Sequence, residues 1–209
     1  MSVIVLHHLG AAEAAAGWRA ALAAEGVADV WAPDLPGHAG AATPIGGNYT
    51  RVDPVYEIGR RVADGFDLSD TVLVGVGLSG WAAMVLAAAG EGRGLVLVDG
   101  LGTPWRSQAD VRARWRAAIR ATSVSAESMG PAPEHGVDPR IAVGLVAHGD
   151  EELVRDAAEA ITIPTLLIGT DHEAATSLQP SFSGAVTVVE SAPTAEAVAP
   201  QLAGWLRQL

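Results

Sequence analysis

The feature that most constrains this chain is a repeated alternation. Short, nearly continuous apolar runs are separated by longer Ala- and Arg-rich stretches of helical pattern. The runs at 3–6, 30–32, 71–74, 95–98, 165–168 and 186–189 are rich in Val, Leu and Ile and too short for helices. A strand that is apolar on both faces must be covered on both faces, which is the situation of a parallel sheet between two helical layers. The stretches at 11–25, 54–64, 79–89 and 195–208 supply helices of suitable length between and after the runs. The expected fold class is therefore α/β, a three-layer arrangement with a mostly parallel sheet and helices on both faces. Aromatic residues make up only 5% of a chain that is 49% hydrophobic, so the core has to be built from Ala, Val and Leu. At 209 residues the chain suits one domain spanning 1–209, with no internal repeat, low-complexity tract or linker to divide it. Residues 101–162 read as an insertion: helices at 107–121, 140–147 and 150–160 flank a Pro- and Gly-containing loop, and together they suggest a small helical lid.

Composition removes several functional classes. The formal net charge is -11, and all 13 basic residues are Arg. Such a surface repels phosphate backbones and anionic lipid, so neither nucleic acid nor membrane is an expected partner. Without Lys there is no lysine Schiff base, and without Cys there is no thiol nucleophile, disulfide or thiolate metal site. The first residues are apolar with no basic segment before them, so no signal peptide is expected, and the anticipated location is the cytoplasm. The uncharged stretch 71–90 is long enough to span a bilayer. Its glycines at 75, 77 and 80, and its change from β-branched to Ala-rich, fit a buried strand entering a buried helix instead.

Several of these segments resemble α/β-hydrolases. Val3 to Gly10, followed by Trp31-Ala32-Pro33-Asp34-Leu35-Pro36-Gly37-His38, is similar to the opening of that superfamily, where one strand ends in a His-Gly turn and the next in Asp-x-x-Gly-His. Val72-Leu73-Val74-Gly75-Val76-Gly77-Leu78-Ser79-Gly80 resembles the nucleophile elbow. The runs at 95–100 and 163–169, and the final helical stretch, match the remaining core elements. Within the superfamily, the compact insertion and the polar residue after His7 resemble the plant esterase and hydroxynitrile-lyase branch. The resemblance implies a pocket at the carboxyl ends of the strands and no cofactor.

Two departures stand out. In the elbow pattern G-x-S-x-G the serine lies on a strained strand-to-helix turn. Here Gly77 occupies that place. Taking Ser79 as nucleophile instead would put the turn inside the helix, and a small residue for close helix–sheet packing is the simpler reading. The family's catalytic His follows the last strand, whereas this chain has Glu190-Ser191-Ala192-Pro193-Thr194 and no His afterwards.

Polar residues at the strand ends are the remaining candidates. His7, Asp34, His38 and Asp99 match turn positions and read as structural. His8 replaces the Gly of the His-Gly turn and could serve as acid, base or hydrogen-bond donor. In Gly169-Thr170-Asp171-His172-Glu173, either Asp171 or His172 falls at the place of the triad acid; one reading is an exposed polar loop, the other that His172, or His8 oriented by Asp171, supplies a replacement base. The backbone N–H groups of Leu9 and Leu78 would form an oxyanion hole beside Gly77. Trp81, Trp105 and Trp115 fit either the wall of a pocket under the lid, the place given to Trp105, or the core, the commoner fate of Trp at helical spacing. No His or carboxylate spacing suggests a metal, and no G-x-G-x-x-G fingerprint suggests a dinucleotide. Two functions follow from this pattern. One is a cofactor-independent small-molecule enzyme of secondary metabolism working without a Ser-His-Asp triad, as a non-covalent lyase, isomerase, cyclase or acid–base hydrolase. The other is an inactive pseudo-hydrolase acting as a ligand receptor or partner-binding protein. Neither reading fixes an oligomeric state.

Overall fold

The structure is a computed structural model. It describes residues 1–9, 14–39, 41, 49, 53–100, 138, 141, 151–170, 176 and 179–209. Six strands are present among them: β1 (Ser2–Leu6), β2 (Val30–Trp31), β3 (Thr71–Val76), β4 (Gly94–Val98), β5 (Thr165–Gly169) and β6 (Val186–Glu190). They form one sheet in the order β2-β1-β3-β4-β5-β6. Every pairing in it is parallel. All strands therefore end on the same edge of the sheet, and the order reverses direction at β1 and β3. That reversal opens a crevice of the sort in which open α/β sheets bind ligands.

The described helices are α1 (Ala14–Ala24), α2 (Asp53–Ala63), α3 (Gly80–Ala88), α4 (Glu151–Ala160) and α5 (Ala195–Leu206). Alternate residues of each strand feed different layers. Ile4, Leu6, Leu73, Leu95 and Leu97 pack with Ile58, Met84, Val154 and Ala158 from α2, α3 and α4. Val3, Val5, Val72, Val74, Val96 and Val98 pack with Trp18 and Leu22 of α1 and Leu202 and Trp205 of α5. Two apolar layers on one sheet explain why these strands read as unbroken apolar runs. Trp81 is buried in the first layer and serves the core.

Two segments differ from the sequence reading. β2 ends at Trp31: in its register with β1 the next donor to that strand would be residue 33, which is Pro and has no N–H, and the Ala32 carbonyl, facing away from β1, accepts from the Arg19 guanidinium. The helix at 151–160 lies at the end of the stretch read as the lid, yet it packs against α3 and buries Val154 and Ala158 in the core. It thus belongs to the helical layer of that face. The other helices expected in the insertion lie outside the described residues. No described helix is long and apolar enough to cross a membrane.

Candidate active site

The elbow is built by close packing. A β-carbon at Gly75 would lie 2.5 Å from the Gly80 Cα, so the start of α3 rests directly on β3. To make that turn the chain passes through Gly77 at φ +54, in the left-handed region that glycine adopts without steric cost. Gly77–Ser79 form one 3-10 turn, which leads straight into α3. Ser79 is fully buried, and its Oγ donates to the His7 carbonyl at 2.6 Å. It faces the backbone of the β1 turn, which excludes it as an elbow nucleophile and gives it a structural role.

Register brings the β1 turn beside the elbow. Leu6 pairs with Gly75, so continuing the two parallel strands sets His8 alongside Gly77. The side chains agree with this. A β-carbon built on Gly77 would lie 2.1 Å from His8 Nδ1 and 2.7 Å from its Cε1. The imidazole therefore fills the space into which any side chain at position 77 would project. A ring N–H of His8 donates to the Val76 carbonyl. Burial is the main cause that lowers its pKa from 6.5 to about 4; the Val76 bond opposes this and the nearby His38 reinforces it. His8 is thus neutral near pH 7. An imidazole that gives one N–H away keeps the second nitrogen as an acceptor.

His7 points elsewhere. Its Nδ1–H donates to the His8 carbonyl at 3.1 Å, and its Nε2 accepts from the Leu35 N–H at 3.3 Å, which fixes the tautomer. Burial, followed by repulsion from His38, pushes its pKa down to about 3. The His38 ring meets it edge-on at 4.9 Å between centroids. His38 gives its Nδ1–H to the carbonyls of Leu35 and Pro36, and burial again lowers its pKa. Both rings tie the β1 turn to the turn after β2. Asp34 is exposed. Asp99 follows β4 at φ +59, a conformation Asp tolerates in turns, and its N–H donates to the Ile168 carbonyl at 2.7 Å.

Of the residues singled out from sequence, His8, Leu9, Gly77 and Leu78 meet at the carboxyl ends of β1 and β3. Leu9 and Leu78 are buried in the same apolar layer. Asp171, His172, Trp105 and Trp115 lie outside the described residues. At the end of β6, Glu190 is exposed, and α5 follows with no histidine between or within them. Among the described residues, no three His or carboxylate side chains cluster as metal ligands. One polar pair carried no sequence signal. Buried Tyr49 donates from its hydroxyl to fully buried Asp138 at 2.7 Å. Each stands in a loop-like stretch, so only folding reveals that they meet.

Solved structures of the same shape include the esterase RhEst1 from Rhodococcus sp. ECU1013, with a TM-score of 0.68 and 18% identity, covering 100% of this chain and 89% of that one. MenH from S. aureus gives 0.67 and 13%, with coverages of 100% and 94%. A monoacylglycerol lipase from Paleococcus ferrophilus gives 0.63 and 17%, with 99% and 93%. At these identities the likeness is one of fold. No curated protein matches the sequence. A model of the alpha/beta hydrolase family matches residues 3–206, and with the parallel sheet and the retained elbow turn it shows that the chain belongs to the α/β-hydrolase family, whose members are mostly enzymes.

Proposed function

We propose that the protein is a cofactor-independent small-molecule enzyme that uses the superfamily pocket without a covalent intermediate. His8 acts in the place that a nucleophile would take. The observation that carries this reading is the His8 ring occupying the side-chain space of Gly77, at the center of the elbow. A neutral imidazole there can accept a proton from the substrate or from an attacking water and return it later in the cycle. Leu78 is the second residue of the 3-10 turn Gly77–Ser79, whose first amides have no partner within the turn itself. With the Leu9 amide from the β1 turn, it would hold a substrate carbonyl oxygen as negative charge develops. Such a site suits proton relocation next to a carbonyl, as in a lyase, isomerase or cyclase, or direct hydrolysis. The substrate is a neutral or weakly polar carbonyl compound, in keeping with the acidic chain and with structural neighbors named as esterases and lipases. Asp171 or His172 would supply a second polar group, and Trp105 a wall of the pocket.

The test pairs two measurements on the purified protein. Fluorophosphonate should label no serine, since Gly77 offers no hydroxyl and Ser79 is bonded to His7. Small ketones, thioesters and lactones should be turned over or should exchange α-protons with D2O, followed by proton NMR. His8→Ala should slow that reaction roughly 10²–10⁴-fold. Stoichiometric labelling of a serine would overturn the non-covalent reading. Full activity in His8→Ala would overturn the role of the imidazole, and failure of the whole panel would favour the binding-protein alternative.

A further inference from the structure

The buried Tyr49–Asp138 pair lies beside the histidine cluster, and every link from it to His8 is visible. Asp138 donates its backbone N–H to the Gly37 carbonyl at 2.8 Å and accepts the Tyr49 hydroxyl at 2.7 Å. The Tyr49 hydroxyl stands 2.6 Å from where a β-carbon of Gly37 would be, so the phenol sits on the turn itself. Next along the chain is His38, whose Nδ1–H is held by the Leu35 and Pro36 carbonyls and whose ring meets His7 edge-on. His7 accepts from Leu35 and donates to the carbonyl of His8. Asp138 also comes from the inserted segment between β4 and α4, and nearby Ile141 is buried in the core layer that holds Leu9 and Leu78.

We infer that Tyr49 and Asp138 are positioning residues: they clasp the inserted segment to the turn after β2 and, through His38 and His7, fix the setting of the His8 ring beside Gly77. A carboxylate with no exposed surface is costly unless hydrogen-bonded, so its placement constrains its surroundings strongly. Here those surroundings are the turn that holds His38. The Asp138 charge also faces His38 and opposes the effect of burial on that ring. Four of these contacts, Tyr49–Asp138, Asp138–Gly37, His7–His38 and His7–Leu35, join segments far apart in the chain, so loosening the clasp frees the β2 turn and then the β1 turn. This inference gives the His8 site a support and rests on that reading only for its catalytic meaning.

The test needs no substrate. Diethyl pyrocarbonate modifies neutral imidazoles, and digestion with mass spectrometry resolves its rate at each histidine. In Tyr49→Phe and Asp138→Asn, modification of His8 and His38 should accelerate roughly 10–100-fold, the factor carried by a hydrogen bond to a charged group. The ring proton signals of His8 should shift in both. Leu202→Ala lies on the opposite face of the sheet, lowers stability through a core cavity and serves as a destabilised reference. His8 should keep its wild-type rate in that variant. If Asp138→Asn does not fold, Tyr49→Phe, which removes one hydroxyl, carries the test alone. Wild-type rates at His8 and His38 in Tyr49→Phe would overturn the inference. So would equal acceleration in Leu202→Ala, since the pair would then only add stability. Neither result depends on turnover, so this inference and the proposed function fail separately.

Discussion

Lowering the pH from 8 to 5 should destabilise this protein steeply, above the range where carboxylates titrate. His7 and His8 have pKa values of about 3 and about 4 in the folded chain, against 6.5 for an ordinary imidazole. Between the folded and unfolded values, the unfolded chain binds protons that the native chain refuses. Stability therefore falls as pH drops through about 6.5 and continues to fall until the folded values are reached. For His7, fully enclosed, the difference at pH 5 is about 2 kcal/mol, from 1.5 pH units at about 1.36 kcal/mol each. His8 is only partly buried, so we count about 1–2 kcal/mol for it. The sum of about 3–4 kcal/mol is a large share of a typical total of about 5–15 kcal/mol. His38 adds in the same direction. Asp67, held low by Ser69, and Asp70, held low by Arg93, lose their contributions only below their ordinary value of 3.8, outside this window. Urea unfolding at pH 8, 6.5 and 5, at constant ionic strength, gives the stabilities directly. His8→Gln should remove about a third to half of the pH 8-to-5 difference. A stability unchanged to within about 0.5 kcal/mol across this range would refute the enclosed, neutral state of these rings.

Two other expectations concern the elbow. Gly77→Ala should cost about 1–2 kcal/mol for the left-handed backbone and about 1–3 kcal/mol for the collision with His8. Only the second part should be recovered in the double variant with His8→Gly, which a double-mutant cycle of unfolding free energies measures; strict additivity would mean that the ring does not fill this space. Gly77→Ser should likewise lower the melting temperature without creating esterase activity, as read with an activated acyl ester, because no histidine follows β6. Ser79→Ala should cost about 1–3 kcal/mol by depriving the buried His7 carbonyl of its donor. A melting temperature equal to wild type would contradict that bond.

Much of the scaffold is legible in the sequence, because strands covered on both faces must be apolar on both faces. Val72-Leu73-Val74 and Leu95-Val96-Leu97-Val98 announce themselves in that way. Boundaries are less legible, since they depend on partners. β3 continues to Val76 because Val98 lies beside it, and β2 stops at Trp31 because its register with β1 makes Pro33, which has no N–H, the next donor in line. The helix at 151–160 reads as lid from its position between strands, whereas its apolar face against α3 makes it part of a core layer. For the site, the residue types at positions 8 and 77 are visible in the sequence, but the complementarity between them is not. Parallel register and the turn geometry bring them together, and a one-dimensional pattern shows two separate departures. Tyr49 and Asp138 give no periodic signal at all, since polar residues in loops are ordinary until one of them is found buried.

The two departures are better understood as a single spatial change. A side chain on Gly77 and an imidazole at position 8 require the same volume, so one side chain can stand there but not both in the observed arrangement. The persistence of the sharp turn is not in itself a sign of catalysis. It is demanded by the approach of Gly80 to Gly75, which would shape the backbone whatever residue stood at the elbow. The informative feature is what fills the vacated volume. An apolar residue would have closed the site at the least cost, because even a partly buried imidazole brings a desolvation penalty that appears in the depressed pKa of His8. The fold bears this penalty at the point where the strand ends converge. It also anchors the His8 backbone carbonyl through His7 to the β2 turn. With one ring N–H held by Val76 and its pKa pushed down to about 4, the ring is neutral near pH 7, the form that the proposed proton transfer requires.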